Sequence, residues 1–157
     1  MGTVFHDRGD AMRDAHRRPM PVPRQAQQSG SGLFLELPAA PTSVPHVRRL
    51  VGDIAERMGA EPERTADVRL AVTEACANVV VHAYAVAGGR LTVEATEQRG
   101  QLIVTICDTG RGLAGVSPNA GLGQGLSLIN SLTDDLQIES GPDRGTRMRL
   151  VFRLTRG

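Results

Sequence analysis

The chain has 157 residues, 18 basic and 17 acidic, a net charge of +1, and 40% apolar residues. That length suits one domain with a real core, and the balanced charge, with three Phe, one Tyr and no Trp, argues against a nucleic-acid binder. No apolar run approaches the ~20 residues needed to span a bilayer, and because every basic residue is Arg, a P-loop lysine and Schiff-base chemistry are excluded.

Residues 1–32 are polar, broken by Pro19, Pro21 and Pro23, and end in Gln28-Ser29-Gly30-Ser31-Gly32. They lack the apolar stretch of a signal peptide and read as a disordered tail preceding one domain over 33–157. The expectation is a soluble, cytoplasmic protein with no membrane partner.

Leu33–Leu37 reads as a first strand, stopped by Pro38 and Pro41. Thr42 or Ser43 is placed to cap a helix running to about Met58, with Val47, Leu50, Val51, Ile54 and Met58 at helical spacing and Gly59 as its stop. A second helical pattern covers 63–84. Leu91–Glu97 and Gln101–Asp108 form a hairpin, since each alternates apolar and polar residues around a turn at Gly100. The glycine-rich stretch 109–125 reads as a loop and about 125–133 as a short helix. A second hairpin follows, Leu136–Ser140 and Thr146–Leu154, whose Arg147, Arg149 and Arg153 share a face that reads as solvated. Cys76 and Cys107 lie in apolar segments without a CxxC partner and are expected as reduced core thiols. The order β-α-α-β-β-α-β-β describes an α+β fold, a mixed but mainly antiparallel sheet with helices on one face.

Four features carry chemistry. Glu74, Asn78 and His82 recur every four residues, a strip only about 80° wide on an otherwise apolar helix. A carboxylate, an amide and an imidazole aligned this way need a ligand, a metal or a hydrogen-bond network, although a helix edge facing water would also suit them. Asp108-Thr109-Gly110-Arg111-Gly112 follows a strand directly. Its carboxylate is an acceptor suited to an exocyclic amine such as adenine N6, and a tight turn would account for the same residues. Gly121-Leu122-Gly123-Gln124-Gly125 opens a helix, where bare N–H groups and the positive helix end suit phosphate. Gly145-Thr146 opens the last strand.

Together and in this order, these segments resemble the four nucleotide-binding boxes of the GHKL ATPase superfamily, which includes histidine-kinase catalytic domains, MutL and gyrase B. Leu70–Tyr84 is similar to the N box, Asp108–Gly112 to the first glycine box, Gly121–Gly125 to the second and Gly145-Thr146 to the third. The likeness covers about residues 33–154. Within the superfamily, His82-Ala83-Tyr84 and the run Gly125–Asp134 leading to Gly145-Thr146 most resemble the small anti-sigma factor/serine kinases of the RsbW and SpoIIAB type.

The resemblance implies a two-layer α/β sandwich of the Bergerat type that binds ATP and Mg²⁺. It gives Glu74 the role of general base and Asn78 that of the Mg²⁺ ligand. His82 would steady the box, Asp108 would accept from adenine N6 with Thr146 in support, and Gly110, Gly112, Gly123 and Gly125 would admit the nucleotide to the backbone. It implies a serine/threonine kinase that phosphorylates an anti-anti-sigma (STAS) partner and thereby controls a sigma factor. Arg48 and Arg49 on the first helix would be partner-binding residues, and homodimers are common in similar proteins. Ten residues separate Gly112 from Gly123, a shorter lid than family members often carry. The alternatives are a non-catalytic ATP-binding interaction module, an ATPase acting on water and a detached histidine-kinase domain.

Overall fold

The computed structural model describes residues 27–29, 32–83, 89–108, 123–141 and 145–155. In chain order the elements are β1 (Gln27–Ser29), β2 (Gly32–Pro38), α1 (Ser43–Arg57), α2 (Pro62–Ala83), β3 (Arg90–Gln98), β4 (Gln101–Asp108), α3 (Gln124–Leu132), β5 (Asp135–Gly141) and β6 (Gly145–Arg153). They build one six-stranded sheet in the order β1-β2-β3-β4-β6-β5. The fold is α+β as the element order implies, with every pairing among the described strands antiparallel rather than mixed. β1 falls inside the segment read as a tail, so the sheet begins before Leu33; residues 1–26 lie outside the described residues.

Strand alternation sends Leu91, Val93 and Ala95 of β3, Leu102, Val104 and Ile106 of β4, and Met148, Leu150 and Phe152 of β6 to one face. There they meet Val47, Val51, Ile54 and Ala55 of α1 and Val68, Ala71, Val72, Ala75, Cys76 and Val79 of α2 in a single core. At about 25 cal/mol per Å² of apolar area, this burial is the main source of stability. Cys76 is in that core, where burial pushes its thiol up to about 12 and leaves it inert at neutral pH. Cys107 is the exception to the expected core thiols. It alternates to the other face of β4, half-buried opposite Arg147, and its thiol is also raised by burial.

Helix ends follow local chemistry. Neither Thr42 nor Ser43 caps α1 through its side chain; Thr42 holds the cap position, while the Ser43 hydroxyl donates to the Pro38 carbonyl at 2.7 Å and ties the helix start to β2. At the other end Gly59 takes φ +86°, and the Ala60 and Gly59 amides bond back to the carbonyls of Ala55 and Glu56. This is a Schellman stop that only an unsubstituted Cα enters without strain.

Two arginines hold the helices to the rest. Arg69 of α2 crosses the bare face of Gly52 in α1, whose missing Cβ would lie 2.2 Å from its Nε, and pairs with Glu56 at 2.9 Å. Arg64 donates to the carbonyls of Leu132 (2.9 Å) and Arg153 (3.1 Å), pairs with Asp134 and Asp67, and stacks 5.5 Å from the Phe152 ring centroid. It therefore joins α2, α3, β6 and the α3–β5 connection at one corner. Arg64→Ala is expected to lower stability by about 2 kcal/mol, discounted for its partial exposure, which for a chain of this size is a Tm drop of roughly 4–8 °C. Arg64→Lys should recover little, because a point charge cannot serve the whole fork. A thermal melt of the three proteins checks this.

Candidate functional site

Helical register stacks Glu74 and Asn78 one turn apart on α2, both half-buried, with core residues Ala75 and Val79 beside them. They face the start of α3. That helix begins at Gly123, whose extended backbone (φ −53°, ψ 160°) carries no capping side chain, and its first turn contains no acidic residue. Among the described residues no side chain caps that turn, and its N–H groups with the positive helix end suit an anionic partner.

Gly125 brings the two helices together. A Cβ built on it would lie 3.5 Å from Glu74 Oε2 and 3.5 Å from both Asn78 Oδ1 and Nδ2. That is ordinary contact, so packing alone does not demand glycine there. What the missing methyl preserves is room where a carboxylate, an amide and a helix N-terminus converge. A phosphate chain with Mg²⁺ fits this chemistry: the amide oxygen is a hard neutral ligand, and the helix end attracts negative charge. No cluster of three or more His, Cys, Asp or Glu among the described residues is arranged to hold a metal ion.

The second half of the site lies across the sheet. Asp108 ends β4 on its inner face, following Leu102, Val104 and Ile106, and is only 6% exposed. Cys107 pairs with Arg147 in the adjacent strand, so Thr146 lies beside Asp108; it is 2% exposed, and its hydroxyl is 3.4 Å from that of Ser140. Gly145 takes φ +72°, and a Cβ there would sit 2.1 Å from the Asp108 carbonyl oxygen and 2.9 Å from its Oδ1. The first and third glycine motifs thus meet at Asp108, as the second meets the N-box residues at Gly125.

Among the other sequence-predicted residues, Gly123 is the α3 cap residue. His82 lies on α2, its side chain outside the described residues, as are Gly110, Gly112 and the lid between Gly112 and Gly123. Arg48 and Arg49 are exposed on α1, away from any ion pair among the described residues. Leu70 and Val81, apolar residues of α2, are both exposed. Both fit a helical apolar pattern, so only the position of α1 and the sheet could show which side stays uncovered.

A family model described as the histidine kinase-like ATPase domain matches residues 37–152. The chain is 27% identical over 115 residues to an anti-sigma F factor of Caldanaerobacter subterraneus, covering 66% of this chain and 80% of the relative. It is 30% identical over 119 residues to the serine-protein kinase RsbW of Bacillus cereus, covering 66% and 74%. Among solved structures it is similar to a crystal structure of RsbU and RsbW domains from Mycobacterium tuberculosis, with a TM-score of 0.65 and 25% identity. That match covers 82% of this chain and 34% of the longer one.

Proposed function

The chain belongs to the histidine kinase-like ATPase domain family, and from that premise we propose that it is an ATP-dependent anti-sigma factor that phosphorylates a serine or threonine of an anti-anti-sigma (STAS) partner. The observation that carries this reading is the convergence of Glu74, Asn78 and the uncapped start of α3 at Gly125.

Phosphoryl transfer asks chiefly for positioning and charge neutralisation. The α3 N–H groups would hold the phosphates, and the Asn78 oxygen would hold Mg²⁺, which neutralises charge on the transferring group. Glu74 would take the proton of the acceptor hydroxyl as its oxygen bonds to the γ-phosphorus and ADP leaves. Asp108 would accept from the adenine amine, with Thr146 beside it. Sigma and the STAS partner would compete for the protein, and phosphorylation of the partner would reverse its capture. The relatives named as anti-sigma factor and serine-protein kinase support this assignment.

Calorimetric titration with ATP, with and without Mg²⁺, tests the nucleotide site. Asn78→Ala is expected to weaken Mg²⁺–ATP binding by about tenfold or more, the loss of one charge-assisted contact, and to leave the weaker metal-free binding nearly unchanged. Equal affinity of wild type and variant at every Mg²⁺ concentration would remove Asn78 from the metal site.

A further inference from the structure

The inner face of the sheet changes character along one cross-strand row at the site end. Strand register sets Leu37 of β2 beside Leu91 of β3, Leu91 beside Asp108 of β4, and Thr146 of β6 beside Ser140 of β5. With Cys107 paired to Arg147, Asp108 and Thr146 are neighbours. The row is therefore apolar on β2 and β3 and polar on β4, β6 and β5. Exposure rises along the polar half: Asp108 and Thr146 are buried, and Ser140 is exposed on the edge strand.

Two acceptors flank the Thr146 side chain, the Asp108 carboxylate on one neighbouring strand and the Ser140 hydroxyl on the other, each in a cross-strand position where side chains meet. The carboxylate leans over β6, since its Oδ1 is 2.9 Å from the point where a Cβ on Gly145 would lie, one residue from Thr146. An ionised acceptor makes the stronger hydrogen bond. Among the described residues, however, the hydrogen bond of the Thr146 hydroxyl is to Ser140, at 3.4 Å. A contact of that length contributes little energy; its weight lies in direction. Threonine is stiff about χ1, so a hydroxyl bonded to Ser140 on β5 is withheld from Asp108 on β4. Ser140 itself, exposed at the edge, does not depend on Thr146 for its own proton.

We infer that Ser140 is a positioning residue for base recognition: by holding the Thr146 hydroxyl it keeps the Asp108 carboxylate available to the 6-amine of the purine. The inference rests on the reading above, in which that carboxylate accepts from adenine. Without Ser140, the buried Thr146 proton would turn to Asp108, because a buried hydroxyl left without an acceptor carries a desolvation cost. That bond would draw the carboxylate toward β6 and take up part of its charge, leaving a weaker acceptor for the amine. The effect acts through one hydrogen bond and not through the shape of the pocket. It therefore falls on nucleotides that carry a 6-amine and spares those that lack one.

The test is calorimetric titration of the full chain with Mg²⁺–ATP and with Mg²⁺–purine riboside triphosphate, which differs from ATP only in lacking the 6-amine. The wild type is expected to prefer ATP by about tenfold or more, the worth of one hydrogen bond to a charged acceptor. Ser140→Ala should cut that preference to about threefold or less by weakening ATP, with the analogue bound within about twofold of wild type. Retained affinity for the analogue also shows that the variant is folded. Ser140→Ala/Thr146→Val should then bind ATP about threefold or more tighter than Ser140→Ala, because deleting the competing hydroxyl returns the carboxylate to the amine. A packing role for Ser140 would instead make the second substitution add to the loss. A preference for ATP in Ser140→Ala within about twofold of the wild-type ratio would overturn the role of Ser140 and leave the Asp108 reading standing. Equal loss of both nucleotides, or no recovery in the double variant, would overturn it as well. Equal affinity of the wild type for the two nucleotides would remove Asp108 from base recognition, and the role of Ser140 would fall with it.

Discussion

Glu74→Gln is expected to lower phosphotransfer to a serine- or threonine-bearing acceptor by about 10²–10⁴-fold, the usual worth of a positioned general base, while ATP affinity stays within about threefold. The amide keeps the shape and volume of the carboxylate against Gly125, so the packing between α2 and α3 is retained and only the proton-accepting capacity is lost. Single-turnover transfer of labelled phosphate, run beside calorimetric ATP titration, separates the two effects. Loss of ATP affinity in parallel with transfer would instead place Glu74 in metal or phosphate binding. Transfer unchanged in Glu74→Gln would exclude it as the base. ATP binding without transfer to any acceptor, in wild type as in the variant, would favour the non-catalytic interaction module that the short lid between Gly112 and Gly123 keeps in view.

Gly145→Ala is expected to cost about 3–5 kcal/mol of folding stability, measured by urea denaturation, and to abolish tight ATP binding. Two causes add. Alanine at φ +72° is strained by roughly 1–2 kcal/mol, and its Cβ would approach the Asp108 carbonyl oxygen to 2.1 Å. That oxygen is backbone at the end of a strand paired on both sides, so it cannot rotate away as a side chain would. Relief requires β4 and β6 to part where Asp108 and Thr146 stand, which displaces the carboxylate proposed to accept from adenine along with the strand. Gly125→Ala is the contrasting variant. Its Cβ meets Glu74 and Asn78 only at 3.5 Å, and alanine is favoured over glycine in a helix by about 1 kcal/mol. Stability should hold or rise, while the methyl group occupies the room where phosphates would lie and weakens ATP about tenfold. Equal stability losses in the two variants would mean that Gly145 is not in the strained contact described here.

The helices and both hairpins were legible because each carries a local signal. α1 and α2 show apolar residues at helical spacing, β3, β4 and β6 alternate, and Gly59 marks a helix stop. The candidate site was legible for a related reason: its polar residues interrupt those patterns, as Glu74 and Asn78 do on an apolar helix and as Asp108 does at the inward position of a strand. β1 was not, because three residues of Gln and Ser carry no apolar alternation and pair only because the edge of β2 offers a ladder. Two hydroxyls stood at the start of α1; Thr42 took the cap position without a side-chain bond, and only the approach of the Pro38 carbonyl decided where Ser43 would donate.

By itself, then, the sequence determined the types and order of the described elements other than β1 and most of the side chains that face inward, Cys107 excepted, since these follow from periodicities of 2 and 3.6 that need no distant partner. The tertiary structure alone decided that β2 joins β3 and β4 joins β6, that Gly125 meets Glu74 and Asn78, and that Gly145 presses on Asp108. It alone decided that Arg64 ties α2 to α3, β6 and the α3–β5 connection and that Leu70 and Val81 remain uncovered. Each of these depends on contacts between residues far apart in the chain, and long-range proximity is set by how the layers pack rather than by any local pattern.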